Sequence, residues 1–291
     1  MSKLTNFAEN ALIDFIRGQG ITLPASWYLA LGTAADDTGF TEVTGTSYAR
    51  VAIARNLTNF SGTQGAGTTT ASVGTSHETR NNAAVTTPVA GAGGWTAATK
   101  VGIYDAASGG NCWFYGDLGT TITVSAGNSY TFAASTLVFT LGLTGGMTDY
   151  LSNVMIDKIW RDVPLTWPAT TYVRLVTTTP TNAAGGVEVA NTGAYARVAL
   201  TSSLAALSGT QGSGTTVASS GTSGRSSNNA AVTFPVPTAS WGTVTHAEVM
   251  DASALGTGNR LWWMPLAAAK TLGVGSAAPR FDANALGFSF A

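Results

Sequence analysis

Apolar residues near the N-terminus fall at helical spacing, with Phe7, Ala8, Ala11, Leu12, Phe15 and Ile16 on one stripe. Thr5 or Asn6 can cap this helix and Gly18 can end it. The stripe returns at Tyr150, Leu151, Val154, Met155, Ile159 and Trp160, with Asp149 as a candidate cap. A strand pattern follows each helix, Trp27–Leu31 and Tyr172–Val176, with Pro24 and Pro168 placed just ahead, where a missing backbone donor does little harm. The remaining pattern is short apolar runs between Gly, Asn, Ser and Thr turns. It predicts strands at Tyr48–Ile53, Ala83–Thr87, Lys100–Tyr104, Cys112–Leu118, Thr121–Val124, Tyr130–Phe132 and Leu137–Leu141.

The second half of the chain re-reads the first. Tyr48-Ala49-Arg50-Val51-Ala52 recurs as Tyr195-Ala196-Arg197-Val198-Ala199, and Ser61-Gly62-Thr63-Gln64-Gly65 recurs as Ser208-Gly209-Thr210-Gln211-Gly212. Asn81-Asn82-Ala83-Ala84-Val85-Thr86 recurs as Asn228-Asn229-Ala230-Ala231-Val232-Thr233, with Pro88 and Pro235 behind. These matches lie 147 residues apart, and Trp95/Trp241 and Asp105/Asp251 lie 146 apart. Ordered matches at nearly constant spacing mean a tandem duplication. The expected domains are 1–142 and 143–291, joined by the glycine-rich Gly142–Met147. The fold class is mainly β: two homologous antiparallel domains, each sandwich-like or barrel-like and carrying a short N-terminal helix. Alternation does not separate those two forms.

Composition adds a constraint on the surface. Of the 291 residues 44% are hydrophobic but only 10% are charged, against about 25% in an average soluble domain. Ser, Thr, Asn and Gly must supply the polar surface, and such a surface suits broad protein contact and self-association into a homo-oligomer. With a net charge of −1 and no basic run, nucleic acid is not an expected partner. No apolar run reaches the 18 or more residues of a membrane span, and Met1-Ser2-Lys3-Leu4 does not open a signal peptide. The expected setting is synthesis in a cytoplasm. The single cysteine, Cys112, excludes an intrachain disulfide and a thiolate metal site.

Candidate chemistry is sparse. His77 and His246 fall at different places in the repeat, and no HExxH, CxxC, GxSxG, SxxK or P-loop pattern occurs. Asp105 and Asp251 are a repeated carboxylate pair of the kind a glycosidase uses, but each precedes a small-residue turn and is read as its turn residue. Asp36, Asp37 and Glu42 lack calcium-loop spacing. Gly91-Ala92-Gly93-Gly94 is not followed by a helix pattern, as a nucleotide loop would be. Arg50 and Arg197, read as lying within apolar strands, are expected to fork to a carboxylate or to backbone carbonyls, inside the fold in the first instance and across a subunit interface in the alternative. Trp113, Phe114, Tyr115, Trp262 and Trp263 are read as core rather than as a sugar-stacking surface. The chain is therefore expected to be non-enzymatic, with no catalytic, cofactor or metal residues. The segments 58–80 and 205–227 are nearly pure Ser, Thr, Gly and Ala; a projecting arm that reaches a neighbouring subunit and a solvated loop both fit.

Several of these runs together resemble a known family: Trp27-Tyr28-Leu29-Ala30-Leu31, the two Tyr-Ala-Arg-Val motifs, Asn-Asn-Ala-Ala-Val-Thr-x-Pro, Ala239–His246 and Ile103–Leu118. They are similar to virion structural proteins of tailed bacteriophages, often labelled tail fibre or minor structural proteins. The resemblance covers most of both copies and brings no catalytic residue with it. It implies a virion component. A compact domain without coiled-coil or triple-helical repeats suits a head decoration (cement) or collar protein, whose partners would be the major capsid protein or head–tail neck proteins. A tail fibre or a receptor- or glycan-binding tail component is the alternative, and a glycan-degrading enzyme working through Asp105 or Asp251 is a third class.

Overall fold

The computed structural model describes residues 2–142 and 146–290, so positions 143–145 of the expected linker lie outside the described residues. The first repeat runs β1 (Ser2–Leu4), α1 (Asn6–Ile16), β2 (Ser26–Asp36), β3 (Gly39–Glu42), β4 (Val51–Ala54) and β5 (Glu78–Arg80). It continues with β6 (Val85–Thr86), β7 (Ala98–Tyr104), β8 (Cys112–Ile122), β9 (Thr131–Phe132) and β10 (Val138–Thr140). The second runs α2 (Asp149–Trp160), β11 (Thr170–Val176), β12 (Val198–Thr201), β13 (Arg225–Ser227) and β14 (Val232–Thr233). Then follow β15 (Gly242–Met250), β16 (Arg260–Leu272), β17 (Arg280–Phe281) and β18 (Gly287–Ser289). The protein is mainly β, and among the described residues every ladder is antiparallel and each repeat has one helix.

In the first repeat the main sheet has the order β1-β8-β7-β2-β3, with β4 also on β2, and two-stranded ladders β5–β10 and β6–β9 accompany it. The second repeats the plan as β12-β11-β15-β16 with ladders β13–β18 and β14–β17. Among the described residues neither main sheet closes on itself into a barrel. The stretches expected as separate strands at 112–118 and 121–124 are joined in one strand, β8, whose pairing with β7 breaks after Lys100–Asp117 in a register shift and resumes at Ala98–Ile122. The strand expected from Tyr48 starts only at Val51. Ser47 is left-handed at φ 63°, and Tyr48 and Arg50 turn aside to bind Glu42 instead of entering the ladder.

Helix starts and stops follow local chemistry. Thr5 caps α1, its Oγ1 accepting from Ala8 N at 3.3 Å and donating to the Cys112 carbonyl at 2.6 Å. The cap of α2 is Thr148 rather than Asp149: Leu151 N donates to Thr148 Oγ1 at 3.2 Å, and Asp149 is the first helical residue. A carboxylate there still faces the positive end of the helix dipole. Gly18 (φ 78°) and Asp162 (φ 57°) turn the chain out of the two helices.

The compact units do not coincide with 1–142 and 143–291. One unit comprises residues 1–9, 22–141 and 153–165; the other comprises 10–21, 142–152 and 166–291. Each unit thus contains the C-terminal part of the other repeat's helix. In the first unit Trp160, 1% exposed, is central to the core. Its ring stacks on Phe139 at 4.1 Å and lies 4.7 Å from Phe114, 5.1 Å from Phe60 and 5.6 Å from Trp27. In the second unit Trp262 packs on Phe288 at 5.2 Å and on Trp167 at 5.8 Å, and Phe15 reaches Trp167 at 5.8 Å.

Candidate functional site

The two polar segments fold back as clasps around the exchanged helix ends. In the first unit Asp157 accepts from Ser72 N at 2.8 Å and Ser72 Oγ at 2.6 Å, and from Arg161 Nη1 at 2.6 Å. Arg161 then donates to the carbonyls of Phe60 (3.0 Å) and Thr70 (2.6 Å), and Thr63 Oγ1 bonds Asn153 Oδ1 at 2.5 Å. The second unit repeats the pattern with the other helix. Asp14 accepts from Ser219 N at 2.9 Å, Ser219 Oγ at 2.7 Å and Arg17 Nη1 at 2.6 Å. Arg17 Nε donates to Leu207 O at 2.9 Å, and Thr210 Oγ1 bonds Asn10 Oδ1. Both arginine side chains are fully buried, so each carboxylate is the counter-charge that makes the burial tolerable.

The end of α2 has a further lock. Arg55 donates from Nε to Ile159 O at 2.8 Å and from Nη2 to Lys158 O at 2.6 Å, while Trp27 Nε1 reaches Ile159 O at 3.0 Å. The Arg55 guanidinium and the Trp27 indole thus satisfy carbonyls that a helix C-terminus leaves free. Ser202 stands where Arg55 stands in the first repeat and receives Trp167 Nε1 at 3.2 Å. Sequence reading missed the clasps, although their signal is present: Asn10, Asp14 and Arg17 recur as Asn153, Asp157 and Arg161 on the helical segments.

The other singled-out residues serve the fold. Asp105 accepts from Asn111 N at 2.7 Å and from Trp113 Nε1 at 3.2 Å, and Asp251 accepts from Asn259 N at 2.6 Å; the two stand in different units. Arg50 precedes β4 rather than lying inside it. It bonds Glu42 Oε1 at 2.6 Å and the carbonyls of Ala106 and Gly109 at 2.7 Å, with its guanidinium over the Tyr104 ring. Arg197, just ahead of β12, likewise bonds Glu188 at 2.8 Å and the Ala252 and Thr257 carbonyls. Asp36 is the acceptor of the turn at Thr38-Gly39, whose hydrogen bonds hold its carboxyl below the usual range. Asp37 receives the Tyr115 hydroxyl. Gly91–Gly94 is a turn closed by Gly94 N on Gly91 O at 3.0 Å.

His77 is buried in the first unit with φ 56°, and His246 lies on β15 of the second, its Nδ1 2.9 Å from Thr245 Oγ1. His77 and Asp105 belong to the first unit, His246 and Asp251 to the second. Trp113, Phe114, Tyr115 and Trp262 are buried, and Trp263 is half-buried with its Nε1 on Asn182 Oδ1 at 3.0 Å. Among the described residues no group of three or more His, Cys, Asp and Glu side chains is placed to hold a metal. Among them, too, no helix is long and apolar enough to cross a membrane.

Two features went unseen in the sequence. Glu248, wholly buried on β15, is paired with Arg174 and Arg260, and Glu188 links Arg174 to Arg197. Burial opposes the charge on Glu188, but the hydrogen bonds and charges of Arg197 and Arg174 outweigh it and hold the carboxyl below its ordinary range. In the first unit Gly102, paired with Ala30, stands where Glu248 pairs with Arg174, and Phe40 packs over Gly102 and Gly32 instead. Each unit also has a recess, about 400 Å³ beside Ile103, Phe114, Tyr130 and Phe139 in the first and about 320 Å³ beside Arg174 and Arg260 in the second.

Two copies of one antiparallel β-domain, with buried charges used in clasps and turns, define a duplicated structural protein. The chain belongs to the family described as Podophage GP4 fiber I protein gp80, whose model matches it twice, over residues 3–140 and 146–289. It is a phage fibre-type structural protein, and the family makes it a virion component. No curated protein matches the chain.

Proposed function

We propose that this protein is a non-enzymatic building block of the phage fibre apparatus, acting as a rigid adaptor whose polar, weakly charged faces pack against other virion proteins. The observation that carries this reading is the pair of clasps, where two fully buried arginines, Arg17 with Asp14 and Arg161 with Asp157, hold helices in place. Residues that could have carried chemistry, Asp105 and Asp251, are taken up by turns. The family's fibre description supports a place at the tail or neck, with neck proteins and further copies of the chain as partners.

A head decoration or collar role is the second reading. It is favoured by the 10% charged fraction, which leaves a surface suited to broad contact with capsid subunits. Cryo-EM of purified particles separates the two readings. Density for the duplicated domain on fibres or at the neck supports the first, density over the capsid lattice supports the second, and absence of the chain from washed particles overturns both. Turnover of host surface glycan that is lost on Asp105→Asn or Asp251→Asn would overturn the non-enzymatic assignment.

A further inference from the structure

Each unit holds a socket for a helix that its own repeat does not supply. The first unit's socket is Trp27, Arg55, Phe60, Thr63 and Ser72, and its occupant is the stretch 153–161 of the second repeat. The second unit's socket is built around Leu207, Thr210 and Ser219, and its occupant is the stretch 10–17 of the first repeat. The polar code is the same on both helices: Asn, then Asp four residues on, then Arg three or four further.

The apolar ends differ and set the pairing. Trp160 enters the aromatic cluster of the first unit, whereas Ile16 meets Trp167, Leu207 and Trp262 in the second. The cavity left beside Ile16 is about 10 Å³, too small to admit an indole ring. Conversely, Ile16 in the first socket would leave a void beside Phe139 and Phe114, with the cost of a large-to-small core change.

We propose that these sockets are an assembly interface that also accepts the corresponding helix of a second copy of this chain, so that copies are joined by exchanging repeats. Two observations carry it. Every bond that seats a helix in its socket is made by side chains and carbonyls that a second copy would present identically, which is why such exchange costs little. The family model spans one repeat and matches twice, so the family's unit carries one helix and one socket. In the arrangement seen here a repeat's helix end does not fill that repeat's own socket, and a single repeat is complete only with another. The inference goes beyond the fibre assignment and does not depend on where the protein sits on the virion.

The test is complementation between two differently tagged full-length chains. One carries Asp157→Ala with Arg161→Ala, which blunts the helix; the other carries Arg55→Ala with Ser72→Ala, which blunts the socket. Only a mixed pair can form a first unit with native helix and native socket. Co-refolding is expected to give mixed-tag complexes at least tenfold above the same-tag complexes of either variant alone, measured by tandem affinity capture and light scattering. Equal or absent mixed complexes overturn the proposal.

A second measurement keeps all native contacts and covers the case in which the variants do not fold. Isotopically light and heavy preparations of the full-length chain are unfolded together and refolded. Native mass spectrometry is expected to find dimers holding one light and one heavy chain. Chains that return only as monomers overturn the proposal.

Discussion

Replacing Asp157 by Ala tests the clasp most directly. The carboxylate accepts three bonds, two from Ser72 and one from Arg161, at 2.6 to 2.8 Å. Its removal leaves the fully buried guanidinium of Arg161 with carbonyl partners at Phe60 and Thr70 but no anion in the clasp. An exposed pair of this kind would contribute at most about 1 kcal/mol. Breaking a buried pair from one side costs about 3–5 kcal/mol, because the remaining charge stays desolvated. At roughly 3 °C per kcal/mol for a domain of this size, the expected fall in Tm is on the order of 10 °C.

The location of the damage is more telling than its size. Asp157 belongs to the second repeat in sequence, yet it seats its helix end in the first unit. Hydrogen exchange in the variant should therefore accelerate in β2, β8 and β10 and leave β11 and β15 near their original rates. A cycle with Arg161→Ala should show the double variant losing less than the two single losses combined. A loss below about 1 kcal/mol, or faster exchange confined to β11 and β15, would refute the clasp as the seat of this helix.

Three further outcomes are expected. Trp160→Ala removes the ring at the centre of the first unit's core and should cost about 3–5 kcal/mol, read as a lower urea midpoint with faster exchange at Phe114 and Phe139. Burial, and secondarily the charge of Asp37, raise the Glu9 carboxyl to about 7 from 4.5, so the fold favours its protonated form and stability declines as pH rises from about 4.5 to 7. Glu9→Gln should then leave stability at pH 4 unchanged and raise it at pH 8 by on the order of 1 kcal/mol after solvent screening; equal effects at both pH values would contradict this. Burial pushes the Cys112 thiol up to about 12. Alkylation by iodoacetamide at pH 8 should therefore run at least a hundredfold slower in the folded protein than in urea, and comparable rates would show the thiol to be exposed.

Much of the domain was legible in the chain alone. The duplication rests on residue identities such as Asn81/Asn228, whose side chains bind backbone groups in both copies, Asn81 Nδ2 to Ala133 O and Asn228 Nδ2 to Asp282 O, each at 2.8 Å. The helices and the central strands follow from 3.6- and 2-residue periodicities that depend only on neighbouring positions. Asp105 and Asp251 could be read as turn residues because their partners lie only six and eight residues away.

Long-range partnership could not be read this way. Glu42 receives Arg50 and Tyr48 through a local detour of the backbone that no alternation pattern encodes. The segments 58–80 and 205–227 read as arms or loose loops because their Ser, Thr and Gly residues have no periodicity. They are ordered by Asp157 and Asp14, 85 and 205 residues away from the serines they bind. The repeat, a property of one-dimensional order, places the domain boundary near 142. The helix ends pass into the other unit because a buried Arg–Asp pair and an aromatic core are satisfied there, and such satisfaction is a property of three-dimensional packing that sequence distance does not measure.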